Sequence, residues 1–224
     1  MATHLDLEEQ EQLDALKHFW KQWGNLLTWA LIVVLGAYTA WNAWQYWERR
    51  QAGLAAVLYD ELDRAAQAGE VDRVERALAD MRDKYGGTTY AAHAGLMSAK
   101  LLAEKDKPTE AKAALTWVAD QAPSDGLRAI ARLRLATVQV GDKAYDEALK
   151  TLSASFPPQY AALVADRRGD VLLLQGKRSE AATEFGKAYQ GLGADSADYR
   201  RLVGIKLNAL GIDPEAGAKS GATS

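Results

Sequence analysis

Apolar side chains are distributed along this chain in two regimes. From Gly24 to Trp44 they run almost without a break (GNLLTWALIVVLGAYTAWNAW), and no charged side chain stands between Lys21 and Glu48. From Glu48 to Leu210 they recur three and four residues apart, in alanine- and leucine-rich stretches separated by short polar turns. That spacing belongs to helices that bury one face. Strand-like alternation is absent from the second regime, so the pattern predicts an all-α chain, with one membrane helix followed by a helical domain.

The uninterrupted stretch has 21 residues. As a helix it spans about 31 Å, the thickness of a bilayer's hydrocarbon core. Leu26, Leu27, Leu31, Ile32, Val33, Val34 and Leu35 form its centre, with Trp20 and Trp23 at one end and Trp41, Trp44, Tyr46 and Trp47 at the other. An indole is apolar with one N–H donor, so it settles at the headgroup boundary, and two aromatic belts result. A cleaved signal peptide opens on basic residues and ends on a small-x-small site. Here the leading stretch is acidic and Ala37-Tyr38-Thr39 is a poor cleavage site, so residues 22–47 read as a retained single-pass anchor in membrane lipid. Asn25, Thr28, Gly36 and Thr39 are its candidates for contact with another transmembrane helix, because small and polar residues favour close helix approach in lipid.

Residues 1–21 hold five acids (Asp6, Glu8, Glu9, Glu11, Asp14) against Lys17 and Lys21, which accounts for the whole net charge of −3. Leu13, Leu16 and Trp20 lie at helical spacing, as in a helix on the membrane surface or an extension of the span. Lys17 and Lys21 precede the span, and Arg49, Arg50 and Arg64 follow it. This count leans by one charge towards a cytoplasmic C-terminal domain.

Residues 48–211 repeat. VERALADM (74–81), AKAALTWV (111–118), ALKTLSAS (148–155) and AATEFGKA (181–188) align on their first residues, with spacings of 37, 37 and 33. Twelve residues before these anchors stand Leu62, Ala99, Ala136 and Gly169. The later pairs (Ala99/Ala111, Ala136/Ala148, Gly169/Ala181) are small with small, as the crossing point of a tight helix hairpin requires. Leu78, Leu115, Leu152 and Phe185, four residues past each anchor, are the bulky knobs. Ala68-Gly69-Glu70, Lys105-Asp106-Lys107-Pro108, Gly141-Asp142-Lys143 and Gln175-Gly176-Lys177 mark the turns, and Pro123 and Pro157-Pro158 end second helices.

This period resembles the tetratricopeptide repeat. It implies a helical solenoid of about four hairpins, capped by a last helix carrying Leu202, Leu207 and Leu210 on one side. The tail 212–224 is small and polar and predicts no packed structure. In such solenoids the first helices line a concave face. The lining residues here would be Ala56, Tyr59 and Asp63; His93, Leu96 and Lys100; Ile130, Leu133 and Thr137; and Leu163, Asp166 and Asp170. This mixed groove would hold a partner or an emerging polypeptide segment.

Composition removes other classes. No cysteine is present, which excludes disulfides and thiolate chemistry. The charge balance argues against nucleic acid as a partner. HExxH and GxSxG are missing, and Gly176-Lys177-Arg178-Ser179 and Gly217-Ala218-Lys219-Ser220 interrupt the GK[ST] that a phosphate loop needs. Arg168-Gly169-Asp170 spells an adhesion tripeptide, but Gly169 fills a helix-crossing position. His93 has no acid partner at helical spacing. Neither an enzyme nor a cofactor or metal site is expected.

LRLATVQV (133–140), YDEALKTL (145–152), AALVADRRGDVLLLQGKRSEA (161–181), KLNAL (206–210) and the anchor's exit AWNAWQYWERRQ (40–51) are similar to the YfgM family, ancillary subunits of the bacterial SecYEG translocon. VADRRGD is the most specific of these strings. The resemblance implies an inner-membrane protein with a cytoplasmic N-terminus and a periplasmic repeat domain. It implies as partners SecYEG, the periplasmic chaperone PpiD and newly translocated polypeptides, whose hand-over it would assist, and it carries no catalytic residues. The implied topology opposes the charge count. A cytoplasm-facing scaffold for envelope or division complexes is the alternative.

Overall fold

Each of the four expected hairpins forms, and each is turned in the same way. The residue seven places after the crossing position adopts the left-handed conformation: Gly69 (φ 69°), Asp106 (58°), Lys143 (61°) and Gly176 (78°). The next N–H then donates to a carbonyl of the helix just ended, from Glu70 to Ala65 (2.9 Å), Lys107 to Leu102 (2.8 Å), Ala144 to Gln139 (2.9 Å) and Lys177 to Leu172 (2.9 Å). This contact satisfies a helix-end carbonyl and reverses the chain.

The structure, a computed structural model, describes residues 7–215. Its helices are α1 (Leu7–Gln67), α2 (Val71–Tyr85), α3 (Thr89–Glu104), α4 (Pro108–Gln121), α5 (Asp125–Gly141), α6 (Tyr145–Leu152), α7 (Ala161–Leu174), α8 (Arg178–Gly191) and α9 (Ala197–Ala209). Short 3-10 turns, Pro158–Tyr160 and Ala194–Ser196, precede α7 and α9. No strand occurs among the described residues. The chain forms two compact units, residues up to Gln51 and residues from Ala52.

In the first unit, α1 carries the one helical stretch among the described residues long and apolar enough to cross a membrane, and none of its apolar window is buried. The leading segment from Leu7 belongs to this same helix rather than to a separate surface helix. Polar groups of the span are closed locally. Thr28 Oγ1 donates to the Gly24 carbonyl (2.7 Å), Thr39 Oγ1 to Leu35 (2.7 Å) and Asn42 Nδ2 to Tyr38 (2.9 Å). These bonds let the side chains sit in a medium with no water to pair them.

In the second unit the end of α1 pairs with α2, α3 with α4, α5 with α6 and α7 with α8. The small pairs and the four knobs are all buried, Phe185 completely. The bulkier Leu62 and Val74 are buried as well, so the first crossing closes on large side chains. Two expectations need correction. The third second helix, α6, stops at Leu152, five residues ahead of Pro157, and has 8 residues against 14 in α4 and α8. On α9, Leu202 is 55% exposed, while Val203, Gly204 and Leu207 are buried. Five residues from Leu202 to Leu207 turn the helix about 140° off one stripe, whereas the four from Val203 nearly close a turn. Of the tail, residues from 216 onward lie outside the described residues, as does the second phosphate-loop lookalike, Gly217 to Ser220.

Candidate functional site

The first helices stack in order, and that stacking decides which of the expected groove residues remain open. Tyr59, Leu96, Leu133 and Asp166 each stand three residues before the crossing residue. They are covered rather than displayed. Leu96 is 5% exposed, Leu133 8% and Asp166 1%, and Tyr59 is half-buried with its ring 5.8 Å from that of Tyr90. The covering residues stand five before and two after the crossing residue of the next first helix. Ala94 and Leu101 share an apolar cluster with Tyr59, Ala131 and Val138 share one with Leu96, and Val164 and Val171 share one with Leu133. These four expected lining residues therefore belong to the contacts between repeats.

The open part of the face is smaller and more polar. His93, Lys100 and Thr137 are exposed, and Ala56, Asp63, Ile130, Leu163 and Asp170 are half-buried beside them. Thr137 Oγ1 donates to the Leu133 carbonyl (3.1 Å), Asp63 accepts from Gln67 (2.7 Å), and Lys100 lies 3.8 Å from Glu104. Such a surface presents rotatable donors and acceptors over apolar edges, which suits an extended or helical polypeptide.

At the last junction the chemistry becomes ionic. Tyr199 donates its hydroxyl to Asp166 Oδ2 (2.5 Å), and Lys206 Nζ donates to Asp166 Oδ1 and Asp170 Oδ1 (2.7 Å each). The same ammonium lies 5.0 Å from the centre of the Phe185 ring. Burial, then the Asp166 carboxylate, hold the Tyr199 hydroxyl well above its ordinary range, so it stays a donor. Burial also raises Asp170, against the pull of Lys206. Asp166 and Asp170 are thus engaged by α9, not offered to a partner. Sequence reading missed this cluster. Its signal was two acids four apart on α7 and a Tyr-Lys pair seven apart on α9, each pair on one helix face.

A cavity of about 610 Å³ opens where α6 stops short, walled by Leu152, Phe156, Val164 and Ala165. Its polar edge is Glu184, almost buried, which accepts from Lys187 (2.6 Å) and lies 3.7 Å from Arg168 Nε. These charges, one acid and two bases, pair with one another within the chain, and Ser153 on the same wall donates its hydroxyl to the Leu149 carbonyl (2.8 Å). No group of three metal-ligating side chains occurs among the described residues. At the first phosphate-loop lookalike the Lys177 N–H is committed to Leu172, so that turn stops a helix and cradles no anion. Gly169 of the adhesion tripeptide is buried against Phe185.

Of the membrane candidates, Thr28 and Thr39 have their hydroxyl protons engaged within α1, and a Cβ built at Gly36 meets nothing within 4 Å. Asn25 is exposed in α1. All four leave room for a neighbouring helix.

Comparison with other proteins returns a repeat domain of the same kind. Residues 17–212 match the family model of the tetratricopeptide repeat-like domain. A Neisseria gonorrhoeae protein named ancillary SecYEG translocon subunit is 32% identical over 94% of this chain and 100% of its own length. Proteins of the same name from Escherichia coli (32% identity, 91% of this chain, 97% of theirs) and Haemophilus influenzae (29%, 91%, 98%) align as fully. The family model takes in the anchor, the repeats and the capping helix, and the relatives cover more than nine-tenths of the chain, so the chain belongs to the family of ancillary SecYEG translocon subunits.

Proposed function

We propose that this chain is a single-pass inner-membrane protein that serves the Sec translocon as a non-catalytic ancillary subunit. Its relatives carry that name over nearly their whole length, and this observation carries the reading. In it, α1 holds the chain in the bilayer beside the translocon, with Asn25, Thr28, Gly36 and Thr39 towards a neighbouring helix. The repeat domain faces the periplasm. Its open face, His93, Lys100 and Thr137 with the edges of Asp63, Ile130 and Leu163, binds partner proteins: a membrane-anchored periplasmic chaperone of the PpiD kind and segments of newly translocated polypeptide. The mechanism is local concentration. A tethered domain meets an emerging segment repeatedly, so weak contacts suffice to pass it on.

Protease added to right-side-out vesicles tests the topology. Digestion of the repeat domain with the N-terminus protected is the expected result. A protected repeat domain overturns the periplasmic reading in favour of a cytoplasm-facing scaffold, the side to which the arginines after the span incline. Photo-crosslinkers at residues 93, 100 and 137 then test the face. Absence of crosslinks to SecYEG, chaperone or a translocating chain, in a folded protein of confirmed topology, rejects it.

A further inference from the structure

The repeat pattern continues once more than the four hairpins. Gly211 adopts φ 84°, and Ile212 N–H donates to the Leu207 carbonyl (3.1 Å), the same turn that closes each earlier first helix. Seven residues before it stands Gly204, buried, where a Cβ would lie 3.3 Å from the Tyr189 ring, so α9 is the first helix of a fifth unit.

Across the junctions the covering chemistry follows the covered chemistry. Tyr59, Leu96 and Leu133 meet apolar residues, whereas Asp166 meets a phenol and an ammonium. On α9 the position that a following first helix covers is Arg201, and Ile205 is the counterpart of Asp170, which Lys206 reaches at the last junction, with Leu202 beside them. Leu202 and Ile205 are 55% and 58% exposed, and Arg201 has only a loose 3.7 Å pairing with the exposed Asp198. One residue past the crossing, where α9 has Ile205, the four earlier units place Asp63, Lys100, Thr137 and Asp170. Only the last unit turns this position apolar, and among the described residues nothing covers it.

We propose that the free face of α9 is a docking site for an amphipathic helix of another protein, which stacks on it as a further first helix. The positions fix its chemistry. Five residues before its crossing point it carries a carboxylate, to meet Arg201, and seven residues later an apolar side chain, to cover Ile205 and Leu202. At the α7–α9 junction the acid lies on the covered helix and the cation on the covering one; here the cation, Arg201, lies on the covered helix, so the covering one supplies the acid. The inference is independent of the side of the membrane on which the domain lies.

The probe is a labelled peptide of residues 197–212 carrying Tyr199→Glu and Lys206→Leu, titrated by fluorescence anisotropy into the detergent-solubilised full chain. Binding is expected, weakened about tenfold or more by Ile205→Asp in the chain. Arg201→Glu should weaken it too, and a Tyr199→Lys, Lys206→Leu peptide should recover that variant. Both substituted positions are exposed, so unchanged melting curves show that the variants fold. No binding, or binding insensitive to Ile205→Asp, overturns the proposal. Binding seen only after residues 216–224 are deleted gives the face to the chain's own end. Self-association abolished by Ile205→Asp, without peptide binding, gives it to a second copy. Either result also overturns the proposal.

Discussion

The ring of Phe185 stands where a side chain at residue 169 would have to be. A Cβ built on Gly169 lies 2.6 Å from both Cδ1 and Cε1 of that ring. Phe185 is completely buried, so it has nowhere to retreat.

Gly169→Ala is therefore expected to destabilise the domain by about 1–3 kcal/mol, the cost of forcing volume into a packed core. Gly186→Ala, in α8 with nothing within 4 Å of the new methyl, is the control. It should stabilise by about 0.5–1 kcal/mol, through the smaller entropy of the unfolded chain. Denaturant midpoints of the two variants should move in opposite directions.

The hairpin turns separate glycine from other residues. Asp106 and Lys143 hold φ of 58° and 61°. Side chains in that region cost roughly 1–2 kcal/mol, partly offset by glycine's larger unfolded-state entropy. Lys143→Gly should thus raise stability by about 0.5–1 kcal/mol. Gly176→Ala, from a φ of 78°, should lower it by about 1 kcal/mol. Thermal melting checks both.

Asp166 is all but buried, and Lys206 is a third exposed. Lys206→Met leaves the carboxylate uncompensated. The cost should be about 2–3 kcal/mol, below the roughly 3–5 of a fully buried pair because water reaches the lysine. Adding Asp166→Leu and Tyr199→Phe to it should recover most of the loss. Failure of the triple variant to recover would mean that the cluster sets the position of α9 by more than charge balance.

The Tyr199 hydroxyl has a raised pKa in the folded chain. An unfolded tyrosine ionises near pH 10. The contribution of the protonated hydroxyl is thus complete below about pH 10 and drains away as the pH rises further, because the unfolded chain releases a proton that the folded chain retains. The denaturation midpoint should fall more steeply between pH 9 and 11 in wild type than in Tyr199→Phe. The variant should also be about 1 kcal/mol less stable at neutral pH, for the lost hydrogen bond.

Leu96→Asp and Leu133→Asp place a charge among core residues, since both leucines are under one-tenth exposed. They should unfold the solenoid near the substituted repeat, with a loss above about 3 kcal/mol. Lys100→Glu and Thr137→Glu, on the open face, should leave the melting curve within about 0.5 kcal/mol of wild type. Circular dichroism distinguishes the two sets, and only the second can report on partner binding.

Short-range rules made the anchor, the period and the crossing residues readable. A charge-free run flanked by indoles, a small residue recurring with its partner twelve places on, and a bulky side chain four beyond that are constraints within one helix or one hairpin. They hold wherever the hairpin lies. The direction in which each first helix presents its outer face is different, because it depends on how far the next helix slides across it. The same periodicity that placed Leu96, Leu133 and Asp166 on the concave side could not say that the following helix covers them. Nor could it say that α6 would end five residues ahead of its prolines. The pairing of Asp166 and Asp170 with Tyr199 and Lys206 bridges 33 to 40 residues of chain and exists only once the repeats have stacked. Local geometry is written in residue spacing. Burial between units arises from packing that no spacing encodes, and it left α9 as the one first helix whose apolar outer face has no following helix among the described residues.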